Sequence, residues 1–154
     1  MTTRGIECLK QAGVRFEILP YRHEAKGAKP VAEALGLPEE IVIKTIVFLA
    51  DDQSFLLALM GGDGTVSEKK LARVSGHKRV FQAAPRDAEW ITGYQVGGIG
   101  PFGLKKPLPV FLDELLTAFR QVVINAGARG TMIRIATVDL IRLTGARIVD
   151  IRVE

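Results

Sequence analysis

Apolar positions along the chain follow two alternating rhythms. In RGIECLKQAG, Ile6, Leu9 and Ala12 recur at helical spacing on one face, and Gly13 supplies a stop. VRFEILP then alternates: Val14, Phe16 and Ile18 point one way, Arg15 and Glu17 the other, as in a half-buried strand. After the polar segment YRHEAKGAK, Pro30 opens a short helix, PVAEAL, which Gly36 ends. Pro38, Glu39 and Glu40 give one more turn. Ile41 to Leu49 is rich in β-branched residues and reads as a strand; DDQ turns, and SFLLALM returns as the second arm of a hairpin. GGDG reads as a flexible loop. Ser67 is placed to cap a helix over SEKKLARVSG that stops at Gly76. A strand over KRVFQA and a helix over PRDAEWI follow. VFLDELLTAF mixes strand and helix, QVVINAG and TMIRIA are strands, Thr137 caps a helix over TVDLIRLTG, and ARIVDIRV closes as a strand. Strands and short helices alternate without a regular βαβ period. The expectation is an α+β fold, a mixed β-barrel or sheet flanked by short helices, with residues 1–154 as one domain.

One residue breaks the pattern. IVIKTIVFLA, from Ile41 to Ala50, carries a lysine, Lys44, inside the most hydrophobic run of the chain. In a strand Lys44 shares a face with Val42, Ile46 and Phe48, and Ile43, Thr45 and Val47 face the other way. Both faces are apolar, so the strand is covered on both sides. A buried ammonium there needs a partner or a shifted pKa. Two readings stand at this point: a lysine near a strand end with its head in water, or a cation at the floor of a polar pocket, placed to hold an anion.

Composition narrows the classes. The chain has 154 residues, 47% apolar and 25% charged, in the range of one globular domain with its own core. Its single cysteine, Cys8, excludes an internal disulfide framework and a paired-cysteine zinc site, which suits a reducing, cytoplasmic setting. The start, MTTRGIECLK, carries no secretory pattern, and no apolar run approaches the roughly eighteen residues of a membrane span. The net charge of +4 permits a polyanionic partner such as RNA without requiring one.

Glycine is the unusual count, at 16. In GYQVGGIGPFG, residues Gly97, Gly98 and Gly100 can adopt positive φ and let another molecule approach the backbone, and Pro101 stiffens the loop. N–H groups exposed there suit a carbonyl or phosphate oxygen. The spacing matches neither a dinucleotide fingerprint nor a Walker loop. INAGARG offers Asn125 and the N–H groups of Ala126 and Gly127 as a second small wall, or a plain hairpin turn. Cys8 as a nucleophile would need His23 or His77 as base, and helix packing accounts for it better. Two histidines without matching ligands argue against a metal site. Trp90 reads as a core or rim anchor.

Four pieces in order, YRHE, IVIKTIVF, GYQVGGIGPFG and INAGARG, resemble the YbaK/ProRS-associated family of trans-editing aminoacyl-tRNA deacylases and inserted editing domains of prolyl-tRNA synthetases. The resemblance covers essentially the whole chain. It implies a mixed β-barrel with flanking helices, and hydrolysis of the ester joining a wrong amino acid to the terminal ribose of tRNA, typically tRNA for proline. It implies that Lys44 is the essential lysine, with Thr45 beside it. It also implies that Gly97, Gly98, Ile99, Gly100, Pro101 and Phe102 belong to the substrate loop, and that Asn125, Ala126 and Gly127 form a second backbone wall. Tyr21 and His23 fall in the pocket motif. No cofactor, membrane or DNA is implied; the partner is the tRNA acceptor end, with prolyl-tRNA synthetase as a further candidate. Met132 is a departure, because the cysteine-specific branch has an acidic residue shortly after the GARG-like turn; alanine, serine and threonine are then as open as cysteine.

The chemistry this implies is attack of water, or of the substrate's own hydroxyl or thiol, on an ester carbonyl, for which no protein nucleophile is needed. Lys105 and Lys106 adjoin the glycine loop and are the basic pair best placed for the acceptor end. A non-catalytic module that binds the aminoacyl or nucleotide end, and a small-molecule esterase, are the competing classes.

Overall fold

The structure is a computed structural model that describes residues 2–22 and 27–154. His23 lies outside the described residues. Five helices and eight strands are found among them: α1 (Arg4–Ala12), β1 (Phe16–Pro20), α2 (Ala28–Leu35), β2 (Ile43–Ala50), β3 (Phe55–Gly61), α3 (Glu68–Ser75), β4 (Val80–Gln82), α4 (Pro85–Thr92), β5 (Val110–Asp113), β6 (Gln121–Asn125), β7 (Thr131–Ala136), α5 (Thr137–Thr144) and β8 (Arg147–Val149). Short 3-10 segments precede β2 (Glu39–Ile41) and follow β5 (Glu114–Ala118).

Local chemistry sets these boundaries. The Thr3 hydroxyl caps α1 by accepting from the Ile6 N–H at 3.0 Å, and Ser67 does the same for α3 through the Lys70 N–H at 3.2 Å. Every one of the five helices ends at a left-handed glycine. Two local expectations fail. Thr137 is the first residue of α5, not its cap; its hydroxyl donates to the Phe119 carbonyl at 2.6 Å, tying the helix start to the end of the preceding 3-10 segment. Helix α2 starts at Ala28, two residues before Pro30, which therefore sits in its first turn where a missing N–H costs nothing.

The strands form two sheets that do not close into a barrel among the described residues. One is three-stranded, in the order β1-β7-β6 and antiparallel throughout; the other is five-stranded, in the order β4-β2-β3-β5-β8. The β2–β3 hairpin pairs Lys44 with Met60 and Thr45 with Leu59, whereas β3–β5 and β5–β8 are parallel. Among the described residues one parallel bridge, Val42 to Val123, joins the sheets.

The largest core lies between them. Ile43, Val47, Leu57, Leu59 and Leu112 from the five-stranded sheet meet Val122, Ile124, Ile133 and Ile135 from the other, with Ile6 and Leu9 of α1 and Ile91 of α4 closing the ends. The outer face of the five-stranded sheet packs Phe48, Leu56, Ala58 and Met60 under Leu71 and Ala72 of α3. The outer face of the three-stranded sheet packs Val123 and Met132 under Val31 and Ala32 of α2. Strand β2 is thus covered on both sides, as its unbroken apolar character requires. Trp90 is no anchor: it is 66% exposed on α4, because Ala88 and Ile91 hold the buried face.

Candidate active site

Strand β4 is short and pairs with β2 only over Phe48–Ala50. From Ile43 to Val47, β2 therefore has no strand neighbour on that side, and a cavity of about 330 Å³ opens along its edge. Because the cavity meets an edge and not a face, side chains of both parities line it. Lys44 and Thr45, which alternation sends to opposite faces, are both in its wall. Tyr21, α2 (Ala28, Val31), α4 (Pro85, Ala88), the glycine loop (Gly97, Ile99), Asn125 and Met132 complete it.

Lys44 is half-buried, and its Nζ donates to the Gly64 carbonyl. Burial pushes its pKa down; the carboxylates of Glu39 and Asp63 pull it back up, and the Arg152 guanidinium lowers it further. One hydrogen bond leaves two of the three ammonium protons without a bond to the described residues. GGDG is not the loose loop its composition suggests. Gly64 N–H donates to the Gly61 carbonyl at 3.0 Å, and Gly62 N–H to the Glu39 carbonyl at 3.1 Å.

Two polar atoms of the cavity-lining residues are buried with no partner among the described residues, Thr45 Oγ1 and Asn125 Oδ1. Buried acceptors are rarely left unpaired, and each is costly unless a ligand or water answers it. The Asn125 amide is oriented by its own nitrogen, which donates to the Gly97 carbonyl at 3.0 Å.

The glycine loop is held from four sides. Glu89 of α4 accepts from the Val96 N–H at 2.8 Å, Arg129 Nε donates to the Val96 carbonyl at 2.7 Å, Asn125 holds Gly97, and the Tyr94 hydroxyl donates to the Phe102 carbonyl at 2.6 Å. Of Gly97, Gly98 and Gly100 only Gly97 has positive φ, at 95°. Gly98 and Gly100 are needed for close approach, but to the chain itself: a Cβ on Gly100 would stand 1.9 Å from the Asn125 carbonyl oxygen, and one on Gly98 3.0 Å from the Ala128 backbone. The loop and the INAGARG corner are one packed unit.

Of the residues singled out from sequence, Tyr21, Lys44, Thr45, Gly97, Ile99 and Asn125 meet at the cavity. Gly98, Gly100, Pro101 and Phe102 lie behind it, with Phe102 in the central core. Ala126 and Gly127 turn away: the Ala126 carbonyl accepts from the Thr3 hydroxyl, and Gly127 (φ 110°) sits against the Tyr94 ring. Lys105 and Lys106 are exposed and outside the lining, and Cys8 packs at the edge of the core. Sequence reading missed the apolar wall of Ala28, Val31 and Val42; the amphipathic stripe of PVAEAL was its only signal.

A family model described as the aminoacyl-tRNA editing domain matches residues 23–143. The chain belongs to the aminoacyl-tRNA editing domain family. It is 34% identical over 124 residues to an Enterococcus faecalis protein provisionally named the Cys-tRNA(Pro)/Cys-tRNA(Cys) deacylase EbsC, covering 80% of this chain and 76% of that one. It is 32% identical over 111 residues to the proline–tRNA ligase of Lactobacillus acidophilus, covering 72% of this chain but only 20% of the ligase. A crystal structure described as a provisional trans-editing enzyme for prolyl tRNA synthetase superposes with a TM-score of 0.89 at 26% identity, covering 100% of this chain and 99% of that one. The editing domain thus acts on an aminoacyl-tRNA, and its reaction is hydrolysis of the aminoacyl ester. No helix among the described residues is long and apolar enough to cross a membrane.

Proposed function

We propose that this editing domain, acting as one unit over residues 1–154, clears tRNA for proline that carries a small uncharged wrong amino acid, and does so in trans to prolyl-tRNA synthetase. The observation that carries this reading is the cavity at the open edge of β2, with a cation and two unanswered polar atoms in a wall that is otherwise mostly apolar. The Lys44 ammonium takes the anionic or ribose end of the terminal nucleotide, using protons that Gly64 does not engage. Asn125 Oδ1 takes the α-ammonium of the amino acid, the donor that an orphaned buried acceptor calls for. Gly98 N–H is engaged by the Gln95 carbonyl at 2.9 Å, so carbonyl stabilisation from the loop falls to Gly97 and Ile99, the two loop residues beyond Val96 that line the cavity. Water attacks the ester.

The amino-acid side chain meets Val31, Val42 and Met132. Val31, Val42 and Met132 carry no hydrogen-bonding side-chain group, which favours alanine or cysteine over serine and threonine, whose hydroxyls would have to reach the Thr45 hydroxyl for a partner among the atoms left unanswered. An apolar pocket discriminates weakly against an added hydroxyl, so the preference is one of rate, on the order of 10–100-fold. The test is deacylation of tRNA for proline charged with alanine, cysteine, serine, threonine or proline, by wild type and Lys44→Ala. Lysine-dependent release, fastest for alanine or cysteine and slowest for proline, is expected. Equal release by both proteins, or binding without release, defeats the reading.

A further inference from the structure

The turn that holds Lys44 is itself held by a buried ionic group. Asp113, at the end of β5 and 0% exposed, accepts from the Ile151 N–H at 3.3 Å and from Arg152 Nε at 3.2 Å. The other end of the Arg152 guanidinium reaches both oxygens of Asp63, at 3.3 and 3.4 Å. Backbone pairing strengthens the attachment. Val66 and Arg152 form an antiparallel bridge, Ser67 N–H donates to the Ile151 carbonyl at 2.7 Å, and Val153 N–H to the Thr65 carbonyl at 2.9 Å. Gly64 lies so close beneath the guanidinium that a Cβ on it would stand 2.5 Å from Arg152 Nη1. Its carbonyl is the acceptor for Lys44.

Two carboxylates and one guanidinium act electrostatically on Lys44: Glu39 from the 3-10 segment before β2, Asp63 from the turn, and Arg152 from the segment after β8. Left alone, Asp63 would compete for the ammonium, since a carboxylate is the stronger partner for a half-buried lysine than a carbonyl. The Arg152 fork engages both Asp63 oxygens and removes that competitor.

We propose that Arg152 is a positioning residue for Lys44, holding Asp63 and the Gly64 turn so that the ammonium stays directed to the substrate instead of pairing with Asp63. This rests on the reading of Lys44 as the cationic anchor. Nothing in the role needs Arg152 to touch substrate. Asp113 orients the guanidinium, the guanidinium neutralises Asp63, and the turn carries the carbonyl that steers Lys44.

The test is steady-state deacylation of alanyl-tRNA for proline across pH, with the full chain as wild type, Arg152→Met, Arg152→Lys, Asp63→Asn, the Arg152→Met/Asp63→Asn double variant, and Lys44→Ala. Arg152→Met should raise KM roughly tenfold with kcat little changed, the size of a coupling between contacting charges. The alkaline limb of kcat/KM should move to higher pH as Asp63 captures Lys44. Arg152→Lys should recover part of the loss. The double variant should return KM toward wild type, because the capturing carboxylate is gone. A purely structural role predicts a double variant at least as impaired as Arg152→Met and an unmoved limb, and either result overturns the proposal. Should Arg152→Met fail to fold, Asp63→Asn alone decides: its alkaline limb must move to lower pH, and an unmoved limb overturns the proposal. Lys44→Ala separates the two readings. Full activity there overturns the anchor role and this proposal together, whereas loss there with an unmoved Arg152→Met profile overturns this proposal alone.

Discussion

Lys44 concentrates the chemistry of the chain in one side chain, and its depressed pKa makes the role measurable. Burial disfavours the charged form in the folded protein. The unfolded chain therefore binds more protons than the native one in the window between the lowered value and the ordinary lysine value, and stability attributable to this residue rises with pH through that window. Activity runs the other way, because only the ammonium can anchor the substrate. Wild-type kcat/KM, corrected for uncatalysed ester loss, is expected to fall along an alkaline limb that begins below the ordinary lysine range. Lys44→Arg retains a cation at every accessible pH and should lack that limb, whatever its absolute rate. Lys44→Ala should lose about 10²-fold or more in kcat/KM at neutral pH, the cost typical of removing one group that stabilises developing or bound charge.

At the scale of elements, the glycine loop and the INAGARG corner stand or fall together. A methyl group at Gly100 would overlap the Asn125 carbonyl, a backbone atom that cannot swing aside. Gly100→Ala is expected to cost about 3 kcal/mol, the upper end for overpacking, read as a lower midpoint in urea unfolding. It should also raise KM, since the Asn125 amide is tied to Gly97. This pairing shows what could be read in advance and what could not. The hairpin of β2 and β3, the Ser67 cap and the glycine helix ends follow from local rules that tertiary contacts did not override. The glycines were legible as sites of close approach, but a single sequence does not say what approaches; the answer was the chain's own backbone. Lys44 and Thr45 were legible as candidates, whereas their presence in one cavity was not, because alternation separates them and only the shortness of β4 reunites them. The Arg152, Asp113 and Asp63 group gave no local signal at all, being assembled from three segments far apart in sequence. Trp90 was misread because aromatic character says nothing of which side of an eight-residue helix faces in.

At the scale of the whole molecule, the partner is a polyanion much larger than the cavity, so contacts outside it must contribute. Lys105 and Lys106 are exposed and follow the loop that borders the site. Reversing both to glutamate should weaken tRNA binding and reduce the slope of log affinity against log salt by roughly 0.7–0.9 per lost phosphate contact, with the thermal unfolding curve unchanged. An unaltered slope would remove the pair from the interface.

Among the described residues the two sheets share one backbone bridge, Val42 to Val123, and Val42 also lines the cavity. Elsewhere the layers are joined by the side chains of the core between them and not by backbone hydrogen bonds, so the crevice depends on that packing. Warming should let the three-stranded layer drift from its neighbour before either layer melts, so deacylation would fade at a temperature where circular dichroism still reports intact strands. Amide hydrogen exchange would register this as early loss of protection at Val123, with Leu57 and Leu59 still shielded.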